Sequence, residues 1–152
     1  MLFKRLQPAR RPGPDDLRST ICVFQNFGLE RGAVASTVSH DSHNFTVAYK
    51  NPEDALIAAN YLQEVGGGMC AVLDGQVLAG LPLPVAGLMS QLPCHELVEQ
   101  ISALEKAVGQ VCKSDKMMMR IAISSLLAAP ILCISDRGLV DGRTQTFVEL
   151  FK

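Results

Sequence analysis

NPEDALIAANYLQEVGGGMCAVLDGQVLAGL, residues 51–81, decides the fold class. It opens on a helix start. Asn51 can cap, Pro52 suits the first helical position, and Glu53 and Asp54 favour the positive end of the helix dipole. Leu56, Ala59, Leu62 and Val65 then recur at helical spacing, and Gly66-Gly67-Gly68 ends the helix. Two apolar runs follow, 69–73 and 76–81, on either side of Asp74-Gly75. That dipeptide tolerates the positive φ angles of a tight two-residue turn, so the runs read as a β-hairpin.

Working outward, residues 44–49 (Asn-Phe-Thr-Val-Ala-Tyr) are rich in strand formers, and residues 33–38 are small and strand-tolerant. Downstream, Pro82 and Pro84 cannot donate to a ladder and take the chain out of the sheet. A second helix is expected over 93–111, where Leu97, Ile101, Leu104, Val108 and Val111 form a core stripe. Residues 117–127 fit a short helix or a buried strand equally well. Residues 131–134 read as a short strand, Asp136-Arg137-Gly138 as a turn, and residues 146–150 as the closing segment. The order strand, helix, hairpin, helix predicts an α+β fold. The expected architecture is a mixed β-sheet packed with two main helices on one face, an α/β sandwich.

Residues 1–18 stand apart. Lys4, Arg5, Arg10, Arg11 and Arg18 accompany Pro8, Pro12 and Pro14. The prolines oppose both helix and central strand, so 1–18 is expected to be a disordered, irregular tail before a domain over 19–152.

Composition narrows the function. The 152 residues are 48% hydrophobic and 19% charged, with formal net charge −1. No basic excess calls for nucleic acid or an anionic membrane as partner. There is no Trp, and aromatic residues make up 5%, which argues against a base-stacking platform. No apolar run reaches transmembrane length, and the N-terminus lacks the apolar stretch of a secretory signal, so a cytoplasmic location is expected. Cys22, Cys70, Cys94, Cys112 and Cys133 are odd in number and irregularly spaced, and are read as reduced thiols.

The most polar cluster is Ser39-His40-Asp41-Ser42-His43-Asn44. It admits three readings. A metal site would use His40, Asp41 and His43, but histidines three apart share a face only in a helix, and this segment leads into a strand. A polar loop over a pocket would use His40, Asp41, Ser42, His43 and Asn44 as substrate-proximal groups. A tight turn would have Asp41, Ser42 and Asn44 bonding their own backbone. Gly66-Gly67-Gly68 follows a helix and precedes a strand, the wrong side for a phosphate loop. His95 reads as a surface residue in the first turn of a helix, and Met117 to Met119 as core.

Several segments taken together resemble a known family. Gly28-Leu29-Glu30-Arg31-Gly32-Ala33-Val34-Ala35-Ser36-Thr37-Val38, continuing into residues 39–44, is similar to the signature of the bacterial and archaeal adenine deaminases, which lies in their C-terminal domain. The resemblance continues in order through Gly66-Gly67-Gly68, Asp74-Gly75, Leu81-Pro82-Leu83-Pro84-Val85-Ala86-Gly87-Leu88-Met89-Ser90 and Ser135-Asp136-Arg137-Gly138-Leu139. It covers about residues 24–152. It implies the amidohydrolase superfamily and purine salvage, with adenine and water giving hypoxanthine and ammonia. In that chemistry a metal-bound hydroxide attacks C6 of the purine.

The family's metal ligands, for Mn²⁺ or Fe²⁺, sit in an N-terminal β/α barrel that begins with a His-x-His pair. This chain has three histidines and no His-x-His. No metal ligand and no catalytic residue are therefore assigned to it. The resemblance implies a C-terminal domain or fragment, inactive alone. A separate amidohydrolase barrel chain is the expected partner, with self-association through the face left bare, and adenine would bind once the full site is assembled. The alternative is a non-catalytic purine-binding or oligomerisation module.

Overall fold

The computed structural model describes residues 2–4, 19–40, 43–114, 116–129 and 131–149. In chain order the elements are β1 (Leu2–Lys4), β2 (Ser19–Ile21), β3 (Ala33–Ser36), β4 (Phe45–Tyr49), α1 (Pro52–Glu64), β5 (Gly68–Leu73), β6 (Gln76–Pro82), α2 (Cys94–Val111), α3 (Met117–Ile123), β7 (Leu132–Ser135), β8 (Gly138–Asp141) and β9 (Thr146–Val148). Six strands form one sheet in the order β2-β1-β4-β3-β5-β6, and β7-β8-β9 form a second. The α+β class is as read. No helix among the described residues is long and apolar enough to cross a membrane.

The start of α1 follows its local signals. The Glu53 N–H donates to Asn51 Oδ1 at 3.0 Å. Asp54, buried in the first turn, accepts the Gly75 N–H at 2.8 Å, which ties the helix start to the hairpin tip. At the other end the Gly67 N–H reaches back to the Leu62 carbonyl at 2.7 Å.

Every pairing in the six-stranded sheet is antiparallel, where a mixed sheet was expected. The physical reason lies in one insertion. β4 and β5, joined by α1, do run in the same direction, as a crossover requires. But β3 sits between them and pairs with both, Val34 opposite Ala48 on one side and Ala71 on the other.

The two long helices lie on opposite faces, which corrects the two-layer sandwich to three layers. Ala55, Ala58 and Leu62 of α1 pack on Ala33, Ala35, Phe45, Val47, Cys70 and Val72. Leu104, Ala107, Val108 and Val111 of α2, with Met117 and Ile121 of α3, pack on Val34, Ala48, Ala71 and Leu81 across the sheet. β3 and β5 carry apolar residues at successive positions, so both of their faces need cover. Fully burying a side chain such as Val34 contributes about 1.5–3 kcal/mol.

The helix stripes shift accordingly. Leu56 is 62% exposed, and α1 buries Ala55 and Ala58 instead. In α2 burial is concentrated in the C-terminal half, and Ile101 stays 37% exposed.

Residues 117–123 settle as the helix α3. Ile134 and Leu139 of the small sheet pack on Cys22 and Phe24, and the Ile134 N–H bonds the Ser124 carbonyl at 2.9 Å. The irregular tail expected over 1–18 does not extend to Leu2–Lys4. These residues form β1, pairing with both β4 and β2. The first proline is Pro8, so nothing in 2–4 opposes a ladder. Residues 5–18 lie outside the described residues.

Candidate functional site

The end of β3, the start of β4, the start of β5 and the end of β6 all fall at one edge of the sheet, since Ser36 pairs with Thr46 and Met69, and Gly68 with Pro82. The loops leaving that edge are 37–44, 65–67 and 83–93. They hold the polar cluster, the glycine stop and the proline-rich run.

Thr37 joins the three loops. Its N–H donates to the Gly68 carbonyl at 2.9 Å, and its Oγ1 accepts the Gly68 N–H at 2.8 Å. The same hydroxyl donates to the Gly87 carbonyl at 2.7 Å. Gly67 and Gly87 meet beside it. A Cβ on Gly67 would lie 2.5 Å from the Gly87 Cα and 3.1 Å from Thr37 Oγ1. Gly67 also has φ +110°, a conformation side chains rarely adopt.

Ser39, His40 and His43 are braced from below. Ser39 is fully buried, with Oγ 2.9 Å from Ser125 Oγ and 3.3 Å from Thr46 Oγ1. The His40 N–H reaches the Ala122 carbonyl at the end of α3 (3.4 Å), and the His43 N–H reaches the Ser39 carbonyl (3.1 Å). His43 sits at φ +45°. Both imidazoles belong to exposed residues, while Asn44 is buried. Asp41 and Ser42 lie outside the described residues.

Of the sequence candidates, then, the fold leaves His40 and His43 exposed and turns Asn44 inward. Sequence reading gave no structural role to Thr37, Ser39, Thr46 and Ser125, the hydroxyls that tie this edge together. Ser39 and Ser125 are 86 positions apart, and no local pattern links them.

Among the described residues no group of three or more His, Cys, Asp and Glu could hold an ion, and a catalytic zinc-type centre wants three protein ligands. His95, exposed at the start of α2, lies 3.8 Å from the neighbouring Glu96 carboxylate. None of the five cysteines is in a disulfide, and only Cys94 is exposed. Burial pushes the Cys70 thiol up to about 12 and Cys112 to about 11, so neither is a thiolate nucleophile near neutrality.

Residues 12–146 match the family described as the adenine deaminase C-terminal domain. The adenine deaminase of Clostridium botulinum (strain ATCC 19397 / Type A) is 46% identical over 128 residues, 84% of this chain and 21% of that protein. The adenine deaminase of Moorella thermoacetica is 46% identical over 127 residues, 83% of this chain and 21% of that protein. That of Escherichia coli O1:K1 / APEC is 44% identical over 130 residues, 84% and 22% respectively. The chain thus spans about a fifth of the length of these relatives. With nearly all of its described core inside the match, this chain belongs to the adenine deaminase C-terminal domain family.

Proposed function

We propose that this domain serves the hydrolysis of adenine to hypoxanthine and ammonia in cytoplasmic purine salvage, as the smaller part of an enzyme whose metal-bearing barrel is supplied by another stretch of chain. The observation that carries this reading is the Thr37 cluster. It fastens Thr37 to the 65–67 and 83–93 loops, a few residues before the exposed His40 and His43. Three of the stretches that resemble the family converge there from separate parts of the sequence. A rigid polar face suits a wall that closes over a purine and offers hydrogen bonds to it. It supplies no metal-activated water, so the domain alone is inactive, and the barrel supplies Mn²⁺ or Fe²⁺.

The test is hypoxanthine formation from adenine in the presence of Mn²⁺. The chain is assayed alone and with a relative's deaminase truncated to remove the region matching this chain. The reading expects no turnover by either part and turnover by the mixture, reduced by His40→Ala or His43→Ala. Turnover by this chain alone, or by the truncated relative at its full rate without this chain, refutes it.

A second reading, an oligomerisation module, draws on one feature. Cys94, Val98 and Ile101 are exposed at i, i+4 and i+7 on α2, near the chain's exposed Met89 and Leu92. Sedimentation separates the two. Self-association abolished by Val98→Glu without loss of the mixed activity favours oligomerisation through this stripe.

A further inference from the structure

At the opposite end of the sheet from the 37–44 loop lies a cavity of about 530 Å³, between residues 21–30 and the end of β4. Its size falls within the 300–1,000 Å³ range of small-molecule sites. Both walls are held by backbone bonds. The Glu30 and Arg31 N–H groups donate to the Val111 carbonyl at 2.9 and 3.3 Å, and the Lys113 N–H donates to the Gly28 carbonyl at 2.9 Å. Arg120 Nη1 donates to the Asn26 and Phe27 carbonyls at 3.3 and 3.0 Å. On the other wall the Lys50 N–H bonds the Gly32 carbonyl at 2.9 Å. Residues 26–31 and the end of β4 are therefore held in place without a ligand.

Its lining combines two chemistries. Phe24 and Phe27 form a tilted pair with centroids 5.1 Å apart, and Tyr49 adds a third ring. Among the described residues, the charged lining is Lys50, Lys113 and Glu30. Lys113 and Glu30 neutralise each other in an ion pair, and Lys50 has no ion pair among the described residues. The described lining residues thus carry one net positive charge beside aromatic surface.

We propose that this cavity binds a small aromatic carboxylate, with its ring against Phe24, Phe27 and Tyr49 and its carboxylate on the Lys50 ammonium. An aromatic anion satisfies both parts of the lining, whereas a neutral ring leaves the cation unused and a small inorganic anion leaves the rings bare.

The probe is 2-naphthoate, titrated into the full chain and followed by amide NMR shifts, with naphthalene-2-methanol as the neutral control. Saturable shifts confined to residues 22–30, 48–50 and 113 are expected, with the neutral control about tenfold weaker or more. Lys50→Glu, at an exposed position, is expected to keep the fold by circular dichroism and weaken naphthoate by at least about tenfold. Three results overturn the proposal: no saturable shifts up to the probe's solubility limit, shifts centred on the exposed stripe of α2, or unchanged affinity in folded Lys50→Glu.

Discussion

Replacing Thr37 by Val keeps the shape of the side chain and removes one hydroxyl. That hydroxyl accepts the Gly68 N–H at 2.8 Å and donates to the Gly87 carbonyl at 2.7 Å, in a residue only 7% exposed. Valine leaves both backbone groups without that partner in a place where the packing excludes water. Each buried unsatisfied group costs about 1–3 kcal/mol, so the pair should cost about 2–6 kcal/mol. Typical domains hold only about 5–15 kcal/mol in all. Urea unfolding measures the loss, and an unchanged m value assigns it to the native state. At about 3 kcal/mol the thermal midpoint should fall by about 6–12 °C for a chain of this size. Thr37→Ser is the control. It keeps the hydroxyl and loses one methyl, about 0.8 kcal/mol. The Gly68 amide should exchange faster in the Val variant and at nearly the parental rate in the Ser variant. If Val costs no more than Ser, the hydroxyl does not hold these loops together and the argument fails.

Two glycines should respond in opposite directions to alanine. Gly67→Ala places a Cβ 2.5 Å from the Gly87 Cα at φ +110°, and a loss above about 2 kcal/mol is expected in the same urea assay. Gly109→Ala on α2 meets nothing within 4 Å and should gain about 0.5–1 kcal/mol. Thiol labelling of the folded chain should modify Cys94 quickly, while Cys22, Cys70, Cys112 and Cys133 wait for unfolding. Alkaline unfolding follows from Cys70, whose ordinary value of 9.0 is raised by burial to about 12. The unfolded thiol ionises first, so the stability present below pH 9 is lost as pH rises towards 12, and Cys70→Ala should flatten that slope in denaturation curves recorded across the range.

Much of this architecture is written in local chemistry. Asn51-Pro52 start α1, and Asp74-Gly75 turn β5 into β6, because capping and positive-φ turns need only neighbouring atoms. The same holds for the resemblance to the adenine deaminase C-terminal domain, carried by contiguous motifs. The face each helix buries was harder to read. Leu56 fits an apolar stripe by spacing, yet Ala55 and Ala58 face the sheet, because the bond the Gly75 N–H donates to Asp54 ties that side of the helix to the hairpin and the small alanines allow close approach. The uninterrupted apolar residues of β5 did hold a signal for cover on both faces, one that the strand–helix order alone obscures.

By itself the sequence determined the first helix, the hairpin after it, the second long helix and the family, since each rests on residues a few positions apart, while β1 and the helical state of 117–123 waited for the fold. Tertiary structure alone decided the rest. Insertion of β3 between β4 and β5 made the sheet antiparallel, and that edge gathered Thr37, Gly67 and Gly87 into one cluster. Ser125 came under Ser39 from 86 residues away. Buried hydroxyls and backbone groups take whatever partner the packed chain brings within reach, and sequence spacing carries no record of that distance.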